Sequence, residues 1–486
     1  MNSRAVCIGL ILLATVFAGC LPETRITWSP DGKFALVRGG DGLRLCDADG
    51  KLSPPIAENV PAAAWMPDSR QFIAVWAKPV VTWEELLPYL SEEWKANAKG
   101  LAEDWRRQIL AYEGDWDKFE LGPRPADIMA GLMCLRDEFG KELAPRVGAR
   151  WEDLKGVCHT VYVVQLFEVA DGEARPAKVL LQALAPIAEL RVAPTGKAFA
   201  YAAPPYPPRS PEPSFTLFVA SFAAPDKPRR VQDRVSIFFD WTPDGRSLVY
   251  AWADMADPGA HIPRVSFGST ERAFLYTRNR MREPGQQQPL RAGSITRSEV
   301  VGEDGALVEG KNPTCLAKVL FFDSLPVRCL RNGRVLFASR ETRLPAPPAD
   351  MPQDFALFSL DPADPKALQA VFTPEVRGEV GGTWDLFQLS PDETRISIPD
   401  PKGLVAILDL ATGKVTRVSD EAMKGRLATI PVWRSKEELC FVVPAGSKLG
   451  APGGDEIVLW SPAGSRCLSK DWPDSVAKGF LQRKEP

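Results

Sequence analysis

The chain has 486 residues, 45% of them hydrophobic and 25% charged, enough for two or three ordinary domains or for one large repeat fold. Its 59 basic residues stand against 62 acidic ones, which excludes a global electrostatic bias toward nucleic acid or an anionic membrane. With only two histidines, His159 and His261, and no C-x-x-C pair, a zinc or haem centre has little to stand on, and no cofactor is expected.

At the N-terminus, Arg4 supplies a positive charge ahead of the apolar stretch Ala5 to Phe17, which is short for a bilayer span. Phe17-Ala18-Gly19-Cys20 follows and resembles the lipobox of bacterial lipoprotein signals, in which small residues precede an invariant cysteine, although Phe17 stands where Leu is usual. The resemblance implies that residues 1–19 are a signal peptide and that Cys20 becomes a lipidated N-terminus. An ordinary secretory signal or a short anchor is the alternative. Leu21, in place of the Asp of an inner-membrane retention signal, implies the outer membrane, facing the periplasm. Residues 20–25 would then be a tether of under about 20 Å.

From residue 26 onward one local pattern returns seven times: an apolar residue, a turn, and a short apolar run. The copies centre on Trp28-Ser29-Pro30-Asp31-Gly32, Trp65-Met66-Pro67-Asp68-Ser69, Val192-Ala193-Pro194-Thr195-Gly196, Trp241-Thr242-Pro243-Asp244-Gly245, Cys329-Leu330-Arg331-Asn332-Gly333, Leu389-Ser390-Pro391-Asp392-Glu393 and Trp433-Arg434-Ser435-Lys436-Glu437. Later turns, such as Asp47–Gly50, Leu360–Lys366 and Leu408–Val415, add a second hairpin to each copy. Four strands per unit at intervals of ~40 residues read as an all-β, seven-bladed β-propeller, with six or eight blades as alternatives. Asp31, Asp68, Asp244 and Asp392 are expected to form turns, and Trp28, Trp65, Trp241 and Trp433 to pack between blades.

Trp28–Lys33 with Asp47–Lys51, and Trp241–Arg246, resemble the repeats of TolB-type propellers, relatives of the WD-type repeats. The resemblance covers most of residues 25–472 and lacks the separate N-terminal α/β domain of TolB proper. It implies a propeller over residues 26–472, followed by a C-terminal tail at 473–486, and leaves binding, assembly and catalysis equally open.

Long connections gather on the second-to-third strand loops: Lys78–Val157, Pro204–Ser214, Asp254–Gly293, Glu341–Asp354 and Pro444–Asp455. Their shared face is the expected functional surface. The first of them, residues 79–157, reads as a helical insertion in blade 2. There Trp83, Trp94, Trp105 and Trp116 recur every eleven residues, so successive Trp drift only about 20° around a helix. The pattern predicts one helix ending near Gly114, with Pro88 kinking its first turns, and a second from Ala126 to Leu143. The Trp stripe either packs this cap or forms an exposed aromatic platform, making Trp83, Trp94 and Trp105 candidate binding residues. The Asp254–Gly293 loop carries only arginines as cations, and Arg278, Arg280 and Arg282 are candidates for an anionic partner, against a reading as a solvated loop.

No G-x-S-x-G, H-E-x-x-H or Walker A pattern occurs, so no catalytic residue and no metal ligand is assigned. Seven cysteines follow Cys20 and cannot all pair within one chain; those in apolar runs, such as Cys440, read as buried small hydrophobes. The sequence thus points to a lipid-anchored, monomeric propeller that binds an envelope protein or a cell-wall glycan. The alternative is a propeller enzyme, of the glycan or lactone hydrolase or lyase type, working through channel carboxylates.

Overall fold

The computed structural model describes residues 26–39, 41–114, 128–148, 151–204, 215–253, 291–302, 306–308, 313–321, 326–339, 356–380, 387–399, 405–418, 429–443, 456–473 and 476. Three of the repeat turns are closed the same way. A hydroxyl before the proline and the backbone two residues beyond the aspartate both reach its carboxylate. Ser29 Oγ donates to Asp31 Oδ1 at 2.7 Å and Ser390 Oγ to Asp392 Oδ1 at 2.7 Å; Thr242 Oγ1 donates to Asp244 Oδ1 at 2.6 Å. The backbone N–H of Arg70 reaches Asp68 Oδ1 at 3.0 Å. These aspartates are turn formers, as the sequence predicts. Glycine serves where the turn needs the left-handed region, as at Gly245 (φ 67°).

The turns join antiparallel strands into a β-propeller. The first sheet is β1 (Ile26–Trp28), β2 (Phe34–Gly39) and β3 (Gly42–Asp47). The second is β4 (Ala62–Trp65), β5 (Gln71–Val80), β6 (His159–Ala170) and β7 (Glu173–Ala183). The third holds seven strands: β8 (Glu189–Val192), β9 (Ala198–Ala203), β10 (Phe215–Ser221), β11 (Ala224–Trp241), β12 (Ser247–Ala253), β13 (Arg291–Glu299) and β14 (Thr314–Phe321). Three four-stranded sheets complete the ring: β15 (Val327–Cys329), β16 (Val335–Ser339), β17 (Ala356–Asp361) and β18 (Asp364–Ala370); β19 (Gln388–Leu389), β20 (Arg395–Pro399), β21 (Val405–Asp409) and β22 (Val415–Arg417); and β23 (Thr429–Trp433), β24 (Leu439–Val443), β25 (Glu456–Ser461) and β26 (Gly464–Cys467).

The sequence pattern predicts seven separate four-stranded units. Hydrogen bonding instead gives five sheets of four or more strands and one of three. In the first sheet the expected fourth strand is reduced to two isolated bridges, Cys46–Leu52 and Leu43–Ala57, because Pro54 and Pro55 between them offer no N–H to a ladder. In the third, β11 runs on for 18 residues with no break in hydrogen bonding strong enough to end the strand. Its first part pairs with β10 and its last with β12, with the register shifting between Val235 and Phe239 beside Arg234 at φ 56°.

Some middle strands are buried at every position, as β9, β16 and β24 are, with Ser339 the one polar residue among them. That is the signature of sheets covered on both faces. The core is therefore a series of intersheet layers, such as the one in which Phe72 stacks on Phe167 (5.0 Å between centroids) under Trp65.

The helical insertion grows from the β5–β6 hairpin. It comprises α1 (Trp83–Leu86), a 3-10 turn at Leu87–Tyr89, α2 (Glu92–Ala111), α3 (Ile128–Val147) and α4 (Trp151–Lys155). Thr82 and Glu85 form a capping box on α1, and Ser91 caps α2. Pro88 thus separates two helices where a kink within one was expected, and α2 ends at Ala111, short of Gly114. Outside the insertion a short helix, α5 (Pro374–Val380), links β18 to β19.

Candidate functional site

The first strand of each sheet, together with β11 in the middle of the third, makes the inner ring. Contacts run from β1 to β4, β8, β11 and β15, and from β19 to β23 and back to β1. Tryptophans fasten this ring. Trp65 Nε1 donates to Thr27 O at 2.9 Å, Trp241 Nε1 to Arg191 O at 3.2 Å, and Trp433 Nε1 to Gln388 O at 3.2 Å. Each indole thus bonds the preceding inner strand, one residue before the corresponding repeat position. All four repeat tryptophans are buried, which bears out their placement between sheets.

That same position, one residue before the turn, is charged in three successive copies: Arg191, Asp240 and Arg328. With Glu189 they form the main charged cluster of the inner ring. Strand alternation sends Leu190, Phe239 and Val327 into the intersheet core and turns the charged set the other way, partly exposed. Arg191 Nε donates to Glu189 Oε1 at 3.0 Å and its Nη1 to Asp240 Oδ1 at 3.2 Å. Asp240 Oδ1 also accepts from the Trp241 N–H at 3.0 Å, and Oδ2 accepts from the Cys329 N–H at 2.9 Å. One carboxylate therefore ties β8, β11 and β15 together. Burial works against the Arg191 charge, but Glu189 and Asp240 outweigh it and hold the guanidinium above its ordinary pKa.

Arg328 differs. Its Nη1 donates to the Val327 carbonyl at 3.0 Å, and among the described residues no carboxylate forms an ion pair with it. Burial first, and then the like charge of Arg191, pull its pKa down to about 10, against a smaller opposing pull from Asp240 and Glu189. Next to it, burial and Asp240 push the Cys329 thiol far up, so it is no nucleophile at neutral pH. Burial likewise lifts Cys46 and Cys134 to about 12. Cys46, Cys134 and Cys440 are buried free thiols, as their apolar surroundings predict.

The sequence-derived binding residues fall elsewhere. Trp83 and Trp105 are 3% and 0% exposed and sit with Leu86, Ile109, Met133, Leu135 and Trp151 in the core of the insertion. They are not an exposed platform: a stripe on α2 faces α3, which crosses so closely that a Cβ on Gly131 would lie 2.7 Å from Leu101 Cδ2 and 3.0 Å from the Trp105 ring. Trp94 is half-buried against the same core. Val80, Val161 and Val163 continue that core into the hairpin stem, and Arg136 locks the junction by donating to the carbonyls of Val157, at 2.6 Å, and of Val81. Arg278, Arg280, Arg282 and Cys20 lie outside the described residues, as do the connections 205–214, 254–290, 340–355 and 444–455.

Among the described residues no cluster of three or more His, Cys, Asp or Glu is placed to hold a metal ion, and no helix is long and apolar enough to cross a membrane.

No family model matches the chain, and no curated protein matches it. Solved structures similar to it include hydrazine synthase of Kuenenia stuttgartiensis (13% identity, 80% of this chain and 77% of that one, TM-score 0.39). The β-propeller domain of Cps50 (Swd1) from Myceliophteria thermophila has 10% identity over 90% of this chain and 97% of that one, with a TM-score of 0.42. An oligogalacturonate lyase in complex with manganese has 11% identity over 82% and 77%, with a TM-score of 0.40. No property of a particular site on this chain follows from likenesses this distant.

Proposed function

We propose that the protein is a lipid-anchored, extracytoplasmic propeller of the TolB-like type that binds an envelope protein or a cell-wall glycan through its helical cap. Counted as two blades sharing β11, the seven-stranded sheet would be compatible with the seven-bladed reading, whereas hydrogen bonding by itself gives five sheets of four or more strands and one of three. The observation that carries the binding reading is the insertion itself. It has a core of its own, and it stands on an extended β5–β6 ribbon. A fold that needed only to be a ring would gain little from ordering this segment.

An enzyme working through channel carboxylates is the second reading. Glu189 and Asp240 would have to exchange protons in such a site, yet both are engaged by Arg191, and Asp240 by two backbone donors as well. That favours binding.

The lipid anchor rests on the Phe17–Cys20 motif. Crosslinking in intact envelopes tests the whole reading. Replacing residues 78–157 by a short linker is expected to leave a folded ring and to abolish partner capture, and reversing the charges of Arg278, Arg280 and Arg282 is expected to weaken it. Cys20→Ala is expected to release the protein from the membrane fraction or to leave an uncleaved precursor. Full capture by the deletion variant would remove the cap from the proposal; normal lipid attachment in Cys20→Ala would remove the anchor.

A further inference from the structure

Among the described residues of the inner ring, Arg328 is a cation with no carboxylate in an ion pair with it. Arg191 and Arg328 occupy the same register on β8 and β15, either side of β11, and both keep part of their surface exposed. The two carboxylates of the cluster are turned toward Arg191: Glu189 at 3.0 Å and Asp240 at 3.2 Å. The other Asp240 oxygen is taken by the Cys329 N–H. Of the five N–H donors of Arg328, one meets the Val327 carbonyl. The four donors that remain, on a partly exposed arginine beside another arginine, are of the kind that a planar anion engages with two parallel bonds.

We infer that Arg328 is the anchor of a binding site for a carboxylate group of a small or terminal ligand entering the inner ring. The charge sum selects the class. Arg191, Arg328, Glu189 and Asp240 add to zero at neutral pH, so a monoanion can be held by the Arg328 fork while the two acids repel a second negative charge. A phosphate dianion is the poorer fit. The site is independent of the helical cap and of the partner bound there. Burial and Arg191 disfavour the Arg328 charge, and an anion bound beside it would favour that charge.

The test titrates the purified full chain with acetate, and separately with inorganic phosphate, against chloride at matched ionic strength, read by calorimetry and by thermal denaturation. Acetate is expected to bind and to raise the melting temperature. Arg328→Gln is expected to weaken acetate about tenfold or more, and Arg328→Lys, which keeps the charge but not the fork, by less. Without ligand, Arg328→Gln is expected to melt at or above the wild-type temperature, because it removes an uncompensated charge. A lower melting point would make Arg328 a structural member of the cluster and overturn the proposal. So would acetate binding no better than chloride, or binding equally well to Arg328→Gln. Phosphate binding in preference to acetate would overturn the carboxylate assignment.

Discussion

Replacing Asp240 by alanine should be among the most costly single changes at the inner ring. Its carboxylate accepts from Arg191 at 3.2 Å, from the Trp241 N–H at 3.0 Å and from the Cys329 N–H at 2.9 Å. Its side chain is 19% exposed and that of Arg191 21%, so water replaces these bonds only in part. Two orphaned backbone donors cost about 1 kcal/mol each at the low end of the range for partly wet sites. Arg191 keeps Glu189 but loses half its compensation, which adds about 1–3 kcal/mol. The sum is about 3–5 kcal/mol. For 486 residues unfolding as one unit at about 2.1 cal/mol/K per residue, the entropy of unfolding is about 1 kcal/mol/K, so the melting temperature should fall by about 3–5 °C.

Urea titration followed by tryptophan fluorescence measures this directly. Asp240→Asn should fall between wild type and Asp240→Ala, since the amide keeps one acceptor but turns a second donor on its neighbours. Asp244→Ala, four residues along in the adjacent turn, is the control. It loses the Thr242 hydroxyl and the Arg246 N–H within one exposed turn, and about 1 kcal/mol is expected. If Asp240→Ala costs no more than Asp244→Ala, the carboxylate does not crosslink three strands, and the reasoning about the cluster fails.

Trp241→Phe keeps an aromatic ring between sheets but gives up the bond to the Arg191 carbonyl; a loss of about 1–2 kcal/mol in the same urea assay is expected, and no loss would deny the indole bond any role. Gly245→Ala and Gly333→Ala both force alanine into the left-handed region, at φ 67° and 84°, for about 1–2 kcal/mol each. Only at Gly245 would the new Cβ also meet a neighbour, Thr195 Cγ2 at 2.8 Å, so it should be the worse of the two, and equal costs would contradict the close approach. On acidification, Asp31 and Asp392 set the sign. Burial raises each carboxyl, but the hydroxyls of Ser29 and Ser390 and the N–H groups of Lys33 and Thr394 outweigh it and hold both below the ordinary range. The unfolded chain then binds protons more readily, so their stabilisation is present above the ordinary carboxylate pKa and is lost as pH falls through the lowered values, between about pH 5 and pH 2. Ser29→Ala with Ser390→Ala should flatten that decline in urea midpoint, and an unchanged slope would assign it to other groups.

Much of the fold is legible in the chain because the turns are local chemistry. Asp31, Asp68, Asp244 and Asp392 satisfy backbone donors two residues away, and a reader of the sequence needs no distant contact to see it. The insertion is less legible. An eleven-residue Trp period puts Trp94 and Trp105 on one stripe of α2, with Trp83 on α1 before the turn at Leu87–Tyr89, but only the approach of α3 at Gly131 decides that the stripe is covered. The charged cluster left a trace that position-by-position comparison of the repeats could have found: Arg191, Asp240 and Arg328 stand one residue before the turn in consecutive copies, where the others carry Thr27, Ala64, Gln388 and Val432. Their pairing was not readable, since Glu189 and Asp240 both choose Arg191 over Arg328 for reasons of geometry across three strands.

Closing the ring poses a problem that the repeats do not solve. Three repeat tryptophans bond the inner strand before them, and by the same register Trp28 should bond the carbonyl of Val432 on β23. Its buried Nε1 instead finds no oxygen acceptor and is left with the Cys440 thiol, a weak one. The first and last sheets share no strand, so the join rests on side chains. Arg434 lies over the Trp28 ring at 5.3 Å and donates to the Gly32 carbonyl at 3.0 Å, while Trp472 donates to the Gly50 carbonyl at 2.6 Å. Val476 is fully buried against Gly39, so part of what reads in sequence as a free tail is core. The rest of the seam is the apolar layer of Ile26, Val37, Cys46, Cys440 and Leu459. A buried N–H left with a thiol in place of a carbonyl gives up part of an ordinary hydrogen bond, about 1 kcal/mol, and this seam is where the ring bears that cost. The join between the first and last sheets is therefore held by Arg466, Trp472, Val476 and Arg434 as much as by its strands, and it is where the propeller should open first.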